Sequence, residues 1–354
     1  MQGFTLGLHI AVKDFLDICN KLDRKMTNWS LSDHCWVHNW NRANVDVINQ
    51  YTWRNINQDM VDEFYQRYKN ELNKFDFFYI FYPPVFSLLF RKFDKPIIMH
   101  IPMRFDMPFM GNVEKWQWLI HELRDGIDDG QIIPLANDKL DQQYFKNYVN
   151  REINLISGLC DYTSLNYIGD REEFLYCSKF KEFRNWVPNI SLVDKVSGHS
   201  WESLTHFKAL VHIPYVNLFI SLVEQYSMNI PLLFPSHDFL VTLWERYKNS
   251  GVMTELSHRK IFGLTPGTPK EIKFDGIDLN DYNNIESFKY WSSLSDFYDP
   301  EIMPYIEYFE SVSELEFKLN TLNFSEISDK IRQYNILRKQ KILNQWKEVL
   351  DKIS

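Results

Sequence analysis

One carboxylate, Glu224, lies inside an otherwise apolar passage at positions 212–236, which reads HIPYVNLFISLVEQYSMNIPLLFPS. A carboxylate offers two acceptor oxygens and no donor of its own, so it suits the paired hydroxyls of a ribose. The alternative interpretation is that Glu224 lies on the solvated face of an amphipathic helix. The elements that the flanking residues form decide between these interpretations.

The flanking residues predict a strand, a helix and a second strand. The apolar run ALVHI at 209–213 predicts the first strand, which Pro214 ends. Asn217 is a favourable N-cap, so the helix is predicted to begin there. Ser221 and Glu224 fall on the same face as Asn217. The opposite face is apolar, with residues at i, i+3, i+4 and i+7, namely Phe219, Leu222, Val223 and Tyr226.

This order of elements places the helix N-terminus at the carboxyl end of a sheet, where open α/β sheets bind ligands. The free N–H groups of the first turn, near Leu218 to Ser221, would bind a diphosphate there. Lys179 and Arg184 follow another predicted strand, FLYCS, and could neutralise the same phosphates. Both residues belong to the run KFKEFR, which could equally be an ordinary solvated surface.

Short apolar runs alternate with amphipathic segments along most of the chain, which predicts parallel sheets covered by helices. The pattern restarts after the turn-rich segment GLCDYTSLNYIGDREE, which is the predicted linker. We therefore predict an α/β protein with a first lobe at residues 1–160 and a second lobe at residues 170–325. Residues 326–354 form one long amphipathic pattern and predict a terminal helix.

The composition argues against several classes of protein. The chain has 354 residues, of which 45% are hydrophobic, and a formal net charge of -8. The sequence has no long basic run, so a nucleic-acid surface is not favoured, and it has no apolar run as long as a membrane span. The four cysteines lack zinc-type spacing, so we expect reduced thiols in a cytosolic compartment. The sequence has no P-loop, no G-x-G-x-x-G and no nucleophile elbow, the motifs typical of kinases, dehydrogenases and hydrolases.

The passage around Glu224 resembles the nucleotide-sugar-binding segment of GT-B glycosyltransferases, in which a helical glutamate precedes a strand-initiating proline by seven residues. Glu224 and Pro231 have that interval, whereas YVNLFIS stands in place of the family's Glu-Gly-Phe-Gly element. The segments PYIEYFESVSEL and DKPIIMHIPMRFDMP are similar to that family's closing elements and to the cleft loop of its first lobe. The Gly-poor, aromatic-rich sequence most resembles the glycosyltransferases of large DNA viruses, such as chlorella viruses.

This resemblance implies two Rossmann-like lobes that face a cleft, with the C-terminal helix crossing back to the first lobe. It implies a hexosyltransferase that moves a sugar from a UDP-glucose-like donor to a glycan or protein acceptor. The viral form implies a capsid glycan and a cytoplasmic enzyme of an infected host cell. No metal, further cofactor, nucleic acid or membrane span is expected. The residues expected to bind the donor are Glu224, Ser221, Asn217, Tyr215, Lys179 and Arg184.

A transfer that inverts the anomeric centre needs a base to take the proton of the acceptor. His9 ends the first predicted strand, and the loop after that strand faces the cleft in the family that the chain resembles. Asp14 follows and could orient the imidazole. His9 could instead be a buried histidine whose ring is satisfied by the backbone.

The segment HIPMRFDMP follows another predicted strand and holds His100, Arg104 and Asp106 within seven residues. Mixed charges in a loop of this kind are often site residues, so we predict Asp106 as a catalytic group and the other two on the acceptor side. A simple ion pair between Arg104 and Asp106 is the alternative. His34 is predicted on the acceptor side too, and its spacing from His38 is not by itself evidence for a metal.

Two other functions compete with this prediction. Asp128 and Asp129, in the string DGIDDG, could hold a metal bound to a diphosphate, as in a GT-A transferase. These two aspartates also suit the polar end of a helix. The chain could alternatively be a non-catalytic module that binds a nucleotide or a sugar.

Overall fold

The structure, a computed structural model, describes residues 1–107, 109, 112–188, 190–194, 200–253, 273–274, 277–278 and 284–353. The chain divides into two compact units. The first contains Met1–Gly158 together with the end of the chain from Ile342 onward. The second contains the described residues between Leu159 and Lys341. The stretch that the sequence predicted as a linker therefore belongs largely to the second unit.

The first unit is built on a six-stranded sheet in which every pair of neighbouring strands is parallel. Its strands are β1 (Gln2–Gly7), β2 (Lys25–Ser30), β3 (Phe77–Ile80), β4 (Ile97–Ile101), β5 (Ile132–Ala136) and β6 (Asn154–Leu155). Their spatial order is β2-β1-β3-β4-β5-β6. The chain therefore moves outward from β1 in both directions, and the order reverses between β1 and β3.

Four helices connect these strands: α1 (Lys13–Lys21), α2 (Gln58–Leu72), α3 (Val113–Asp128) and α4 (Lys139–Val149). The residues of α2 have the amphipathic pattern that predicts a helix. Asn57 caps α2, because its side chain accepts a hydrogen bond from the Met60 backbone N–H at 3.0 Å. A 3-10 helix at Pro84–Phe93 follows β3. The sequence did not predict α4 or β6.

The second unit has a five-stranded parallel sheet with the order β13-β10-β9-β7-β8. Its order reverses between β7 and β9. Beside it lies a two-stranded antiparallel pair. The strands of the unit are β7 (Phe174–Cys177), β8 (Leu192–Asp194), β9 (Leu210–His212), β10 (Leu232–Pro235), β11 (Lys273–Phe274), β12 (Ile277–Asp278) and β13 (Glu307–Phe309).

The described helices of the second unit are α5 (Trp201–Thr205), α6 (Ile220–Ser227), α7 (His237–Tyr247), α8 (Ile285–Ser293) and α9 (Val312–Thr321). The five strands of its main sheet are short, and their buried residues pack with those of the helices into one apolar core. Within that core His212 stacks on Phe234, with ring centroids 4.7 Å apart. The prediction of an α/β protein with two parallel-sheet lobes is confirmed.

The chain ends in a long helix, α10 (Phe324–Lys352), whose two parts belong to different units. In the second unit, Asn335 donates a hydrogen bond to the Tyr226 carbonyl at 2.7 Å. In the first unit, Trp346 is 1% exposed and packs its indole against Phe15 and His100. The end of the chain thus supplies part of the core of the first unit.

Candidate functional site

The second unit has a topological switch point between β7 and β9, and ligands of open α/β sheets bind at the carboxyl ends of the strands on either side. Ser178 and Lys179 follow β7 at this edge, and Ile213 to Tyr215 follow β9. The two loops contact each other, because the Ser178 hydroxyl donates a hydrogen bond to the Ile213 carbonyl at 2.9 Å. This edge is the candidate nucleotide site.

Two of the predicted donor-binding residues meet at this edge. The Lys179 ammonium lies 3.9 Å from the centroid of the Tyr215 ring, which in turn stacks on Phe219. An ammonium above an aromatic face is attracted by the negative charge of the ring. This contact holds a cation at the point where the fold would place a diphosphate.

Gly251 brings a third segment against the same loop. Its φ of +112° lies in the region that favours glycine, and a Cβ there would lie 2.8 Å from the carbonyl carbon of Lys179. A neighbouring hydrogen bond joins the Met253 N–H to the Pro214 carbonyl at 2.9 Å. The backbone of residues 251–253 therefore supports both loops of the switch point from one side.

Helix α6 begins later than the sequence predicted. Asn217 is not its N-cap. Phe219 occupies that position, with extended φ and ψ, and its side chain makes no capping hydrogen bond. Asn217 lies in a bend before the helix, and Ser221 lies in the first turn, half-buried. In the first turn the Leu222 N–H donates to the Phe219 carbonyl at 2.9 Å. The start of the helix presents the positive end of its dipole, which favours an anion.

Glu224 is the fifth residue of α6 and is only 8% exposed. The interpretation of Glu224 as a solvated surface charge is therefore wrong. The Tyr162 hydroxyl donates a hydrogen bond to Oε1, and the Trp201 indole N–H donates one to Oε2 at 3.0 Å. A carboxylate oxygen has two lone pairs and can accept more than one hydrogen bond. The two oxygens together could accept from a ribose diol.

Tyr162 and Trp201 were not identified from the sequence, although they hold the candidate carboxylate in place. Their rings meet edge to face, with centroids 5.8 Å apart. Tyr162 lies in the stretch that was predicted as a linker, and Trp201 is the first residue of α5. Ser200 caps α5 through a hydrogen bond from the Ser203 N–H. That Ser-x-x-Ser start was a local signal for the helix, but no local signal joined Trp201 to Glu224.

Arg184 pairs with a residue at the carboxyl end of β8, the strand next to β7. It belongs to a 3-10 helix at Lys181–Trp186, and its guanidinium lies 2.7 Å from the Asp194 carboxylate. Both side chains are exposed, and an exposed pair of this kind contributes little to stability.

The first unit has its own switch point, between β1 and β3, and His9 lies beside it. The Leu8 N–H donates to the Tyr82 carbonyl at 2.8 Å, which joins the two loops, and the His9 ring meets the Tyr82 ring edge to face. His9 is exposed, yet enough protein lies around its ring to reduce its solvation. This loss of solvation lowers the pKa of His9, and the neighbouring His34 lowers it further.

The hydrogen bond that His9 makes limits its chemistry. Nδ1 accepts the Ala11 backbone N–H at 3.0 Å, so the neutral ring carries its proton on Nε2. To take a proton from an acceptor at Nε2, the ring must give up that bond. Asp14 is buried near Tyr79, whose pKa is raised first by burial and then by the Asp14 charge. Asp14 is not among the groups that shift the pKa of His9.

His100 is a core residue of the first unit and not a group at an acceptor surface. Its Nε2 hydrogen-bonds the Ile156 carbonyl at 3.0 Å, and its Nδ1 hydrogen-bonds the Tyr79 hydroxyl at 2.9 Å. A carbonyl only accepts, so Nε2 carries the proton and Nδ1 accepts from Tyr79. Burial lowers the pKa of His100 to about 4, although backbone carbonyls oppose that shift. The ring is therefore neutral, and both of its nitrogens are hydrogen-bonded.

Asp106 is likewise enclosed in the first unit, at 0% exposure. Its carboxylate accepts hydrogen bonds from Arg104 at 3.0 Å, from the Trp116 indole at 3.2 Å and from the Tyr144 hydroxyl at 2.7 Å. A catalytic group must reach its substrate, so this placement does not support the predicted catalytic role. Asp106 instead joins the loop after β4 to α3 and α4.

Arg104 completes this network as a partner of Asp106. Its guanidinium lies 4.4 Å from the centroid of the Tyr144 ring and also donates to the Tyr144 hydroxyl. Burial alone would lower the pKa of Arg104, but the charge and hydrogen bond of Asp106 together with Tyr144 and Tyr148 outweigh it, and the net pKa is raised. The pairing considered as an alternative is therefore present, and it is largely buried.

The remaining charged candidates lie on the surface of the first unit. His34 is exposed, and its N–H donates to the Ser32 hydroxyl at 3.1 Å. Asp128 pairs with Arg151 and Asp129 with Arg91 at the end of α3, next to the start of β5 and not at the carboxyl end of the sheet. These pairings do not support a GT-A metal site at the two aspartates. Within the described part of the chain, no three His, Cys, Asp or Glu residues lie together in a metal-binding arrangement.

The chain resembles known proteins in structure and not in sequence. No family model matches the chain, and no curated protein matches its sequence. The crystal structure of Alr3699/HepE from Anabaena, in complex with UDP and glucose, aligns with 99% of this chain and 100% of its own at 10% identity and a TM-score of 0.55. The glycotransferase of kitacinnamycin aligns with 99% of this chain and 98% of its own at 9% identity, but its TM-score of 0.44 supports no inference.

The two parallel-sheet units and the likeness to HepE define a two-lobe, Rossmann-like GT-B fold. Nucleotide-sugar glycosyltransferases use this fold, as the sequence resemblance implied. At 10% identity the likeness shows the fold and not the activity. None of the described helices is both long and apolar enough to cross a membrane.

Proposed function

We propose that the chain is a glycosyltransferase that moves a hexose from a nucleotide sugar to a glycan or protein acceptor. The observation that carries this proposal is the buried carboxylate of Glu224, held by Tyr162 and Trp201 beside a GT-B switch point. A carboxylate in that position suits the hydroxyls of a ribose. HepE, which has the same fold, binds UDP and glucose in its crystal structure, and this supports a UDP-linked donor.

Each group of the second unit has a role in this proposal. Glu224 accepts hydrogen bonds from the ribose hydroxyls, and the N-terminus of α6 binds the diphosphate. Lys179, held over Tyr215, neutralises charge on the leaving nucleotide as the bond to the sugar breaks. His9, at the switch point of the first unit, is the proposed base for the acceptor hydroxyl. No step in this scheme requires a metal.

A thermal-shift panel tests the proposal, since a ligand that binds only the folded state raises its melting temperature. The purified chain would be heated with UDP-glucose, UDP-galactose, GDP-mannose, TDP-rhamnose and, as a matched control, with ribose 5-phosphate. We expect one nucleotide sugar to stabilise the chain in a concentration-dependent manner. Stabilisation by none of them would contradict a nucleotide-sugar site.

An assay of nucleotide-sugar hydrolysis distinguishes an enzyme from a binding module. A transferase without its acceptor commonly transfers the sugar slowly to water, so we expect slow release of UDP from the donor that binds. Binding without any release, even with sugar acceptors present, would favour the non-catalytic module. Activity lost in EDTA and restored by manganese would favour a metal-dependent mechanism.

We further propose a capsid glycan as the acceptor, an origin in a large DNA virus and a cytoplasmic location. The viral proposal rests on the resemblance of the Gly-poor, aromatic-rich sequence. Transfer to the glycan of a purified capsid protein would test it directly.

A further inference from the structure

A long connection follows β2 in the first unit, and the proposed chemistry does not use it. Residues 31–57 link β2 to α2 and contain two short 3-10 helices, at Cys35–His38 and Trp53–Asn55. Hydrogen bonds order this segment, including one from the Ala43 N–H to the Ser30 carbonyl at 2.8 Å. Connections longer than about 12–15 residues are uncommon in compact domains and are usually functional.

The segment encloses a cavity of about 270 Å³ near the carboxyl end of β2. Its lining combines apolar and polar side chains with one exposed aromatic ring. The lining residues are Leu31, Arg42, Ala43, Asn44, Val45, Asn49 and Tyr51. Ligand pockets typically measure about 300–1,000 Å³, and this cavity, which is slightly smaller, suits a ligand of one ring.

Hydrogen bonds fix the backbone that carries the aromatic group of the cavity. The Tyr51 side chain is 80% exposed, yet its N–H donates to the Asn49 side-chain oxygen at 2.8 Å. The same oxygen accepts the Thr52 N–H at 3.2 Å, and the Thr52 hydroxyl accepts the Asn49 N–H. An exposed ring on a fixed backbone provides a flat apolar face at little conformational cost.

The polar groups of the cavity suit a neutral ligand. The Asn44 side chain is exposed and makes no hydrogen bond to any residue that the structure describes, so its amide can both donate and accept. The Arg42 guanidinium pairs with the Asp33 carboxylate at 2.7 Å. This pairing neutralises the local charge, which disfavours a free anion. The ion pair can still accept from one hydroxyl and donate to another.

We propose that this cavity binds one pyranose ring of a neutral carbohydrate, with its apolar face on Tyr51 and its hydroxyls on Asn44 and the Arg42–Asp33 pair. A sugar ring presents an apolar face and a rim of hydroxyls. The Tyr51 ring suits the apolar face, and the Asn44 amide and the neutral Arg42–Asp33 pair suit the hydroxyls. The inference rests on the proposed function only in identifying this carbohydrate as the acceptor.

Saturation-transfer NMR of the full chain tests the pocket. The probes are the methyl glycosides of glucose, galactose, mannose, rhamnose, fucose and xylose. We expect at least one to bind. Tyr51→Ala should then weaken that binding about tenfold through loss of the ring contact, and Asn44→Ala about fivefold through loss of a hydrogen bond.

Trp36→Ala is the matched control, because Trp36 lies in the same segment at 71% exposure and does not line the cavity. It should leave binding unchanged. The pocket proposal is overturned if no glycoside binds at tens of millimolar, or if the binding of a glycoside is the same in Tyr51→Ala and Asn44→Ala as in the unchanged chain.

A UDP titration of the same samples separates this inference from the proposed function. Glycoside binding that depends on Tyr51, in a chain that does not bind UDP, would contradict the transferase proposal and support the pocket. UDP binding without any glycoside binding would contradict the pocket and leave the donor site supported.

Discussion

Glu224 shows how far one residue can be understood from its neighbours in the sequence. Its place opposite the apolar face of a predicted helix was equally compatible with a solvated charge and with a ligand-binding carboxylate. The structure buries it beneath two aromatic donors, each of which satisfies one of its oxygens. A buried carboxylate needs such partners, because transfer of a charge out of water is costly.

Glu224→Ala should weaken UDP binding by about 1–3 kcal/mol, because it removes a charged acceptor of the ribose hydroxyls. Isothermal titration calorimetry would measure the change. Glu202→Ala is the control, since Glu202 lies exposed on α5 next to Trp201. Equal affinity in Glu224→Ala and Glu202→Ala would remove Glu224 from the donor site.

His9→Asn separates the two roles that His9 could have. Asparagine can accept the Ala11 N–H as histidine does, so the folded structure should keep its melting temperature. Asparagine cannot act as a base, so we expect the transfer rate to fall about 10²–10⁴-fold. The hydrogen bond that the ring must release is worth only about 1 kcal/mol, which is less than a base contributes. Near-normal turnover would identify His9 as a cap and nothing more.

The pH dependence of transfer follows from the pKa of His9. A base must be neutral, and the pKa of His9 is lowered from 6.5 by lost solvation and by His34. Activity should therefore be complete at neutral pH and fall only in acid, as the pH drops through the lowered pKa. A rate that already declines as the pH falls from 8 to 7 would point to a different base.

At the scale of elements, the positions of loops depend on close contacts between segments distant in sequence. Gly251 approaches the Lys179 backbone in a way that only glycine permits. Nothing in the residues around Gly251 indicates that it supports the loop after β7. The error in the start of α6 has a similar origin. Asn217 is a good cap by type, but the loop from Pro214 continues to Phe219 before the helix begins.

Gly251→Ala should destabilise the second unit by about 1–3 kcal/mol and weaken nucleotide binding, since the new Cβ displaces the loop that carries Lys179. Urea unfolding and calorimetry would measure the two effects. Gly130→Ala is a close control: Gly130 also has a positive φ, of +79°, but a Cβ there would have no neighbour within 4 Å. If both substitutions lower the free energy of unfolding by the same amount, the positive φ accounts for the loss. The contact with the Lys179 backbone would then not contribute.

At the scale of the whole molecule, the two units are not two consecutive halves of the chain. The first unit takes its last residues from the end of α10, more than 180 positions after its other elements in the printed sequence. Trp346 fills a space in that unit beside Phe15, Tyr79 and His100. The long amphipathic pattern predicted the helix, and the resemblance to GT-B enzymes implied that this helix crosses back to the first lobe.

Trp346→Ala should lower the free energy of unfolding of the first unit by about 3–5 kcal/mol, because it leaves a large cavity in a packed core. Urea unfolding followed by circular dichroism would measure it. Lys347→Ala, at the exposed neighbouring position, should change stability by no more than about 0.5 kcal/mol. A small effect of Trp346→Ala would mean that the first unit does not depend on the end of the chain.

The sequence by itself determined most of the elements and the α/β class. The residues of α2 and the alternation of strands with helices follow from periodic patterns among near neighbours, whereas the GT-B fold was implied by the resemblance of the passage around Glu224 to that family. Only the tertiary structure decided the site. Tyr162 lies 62 positions and Trp201 lies 23 positions from Glu224. Asp106, predicted as a catalytic group, became a buried acceptor for residues as far away as Tyr144. Contacts over such separations depend on how the elements pack, and a local pattern of residue types does not predict that packing.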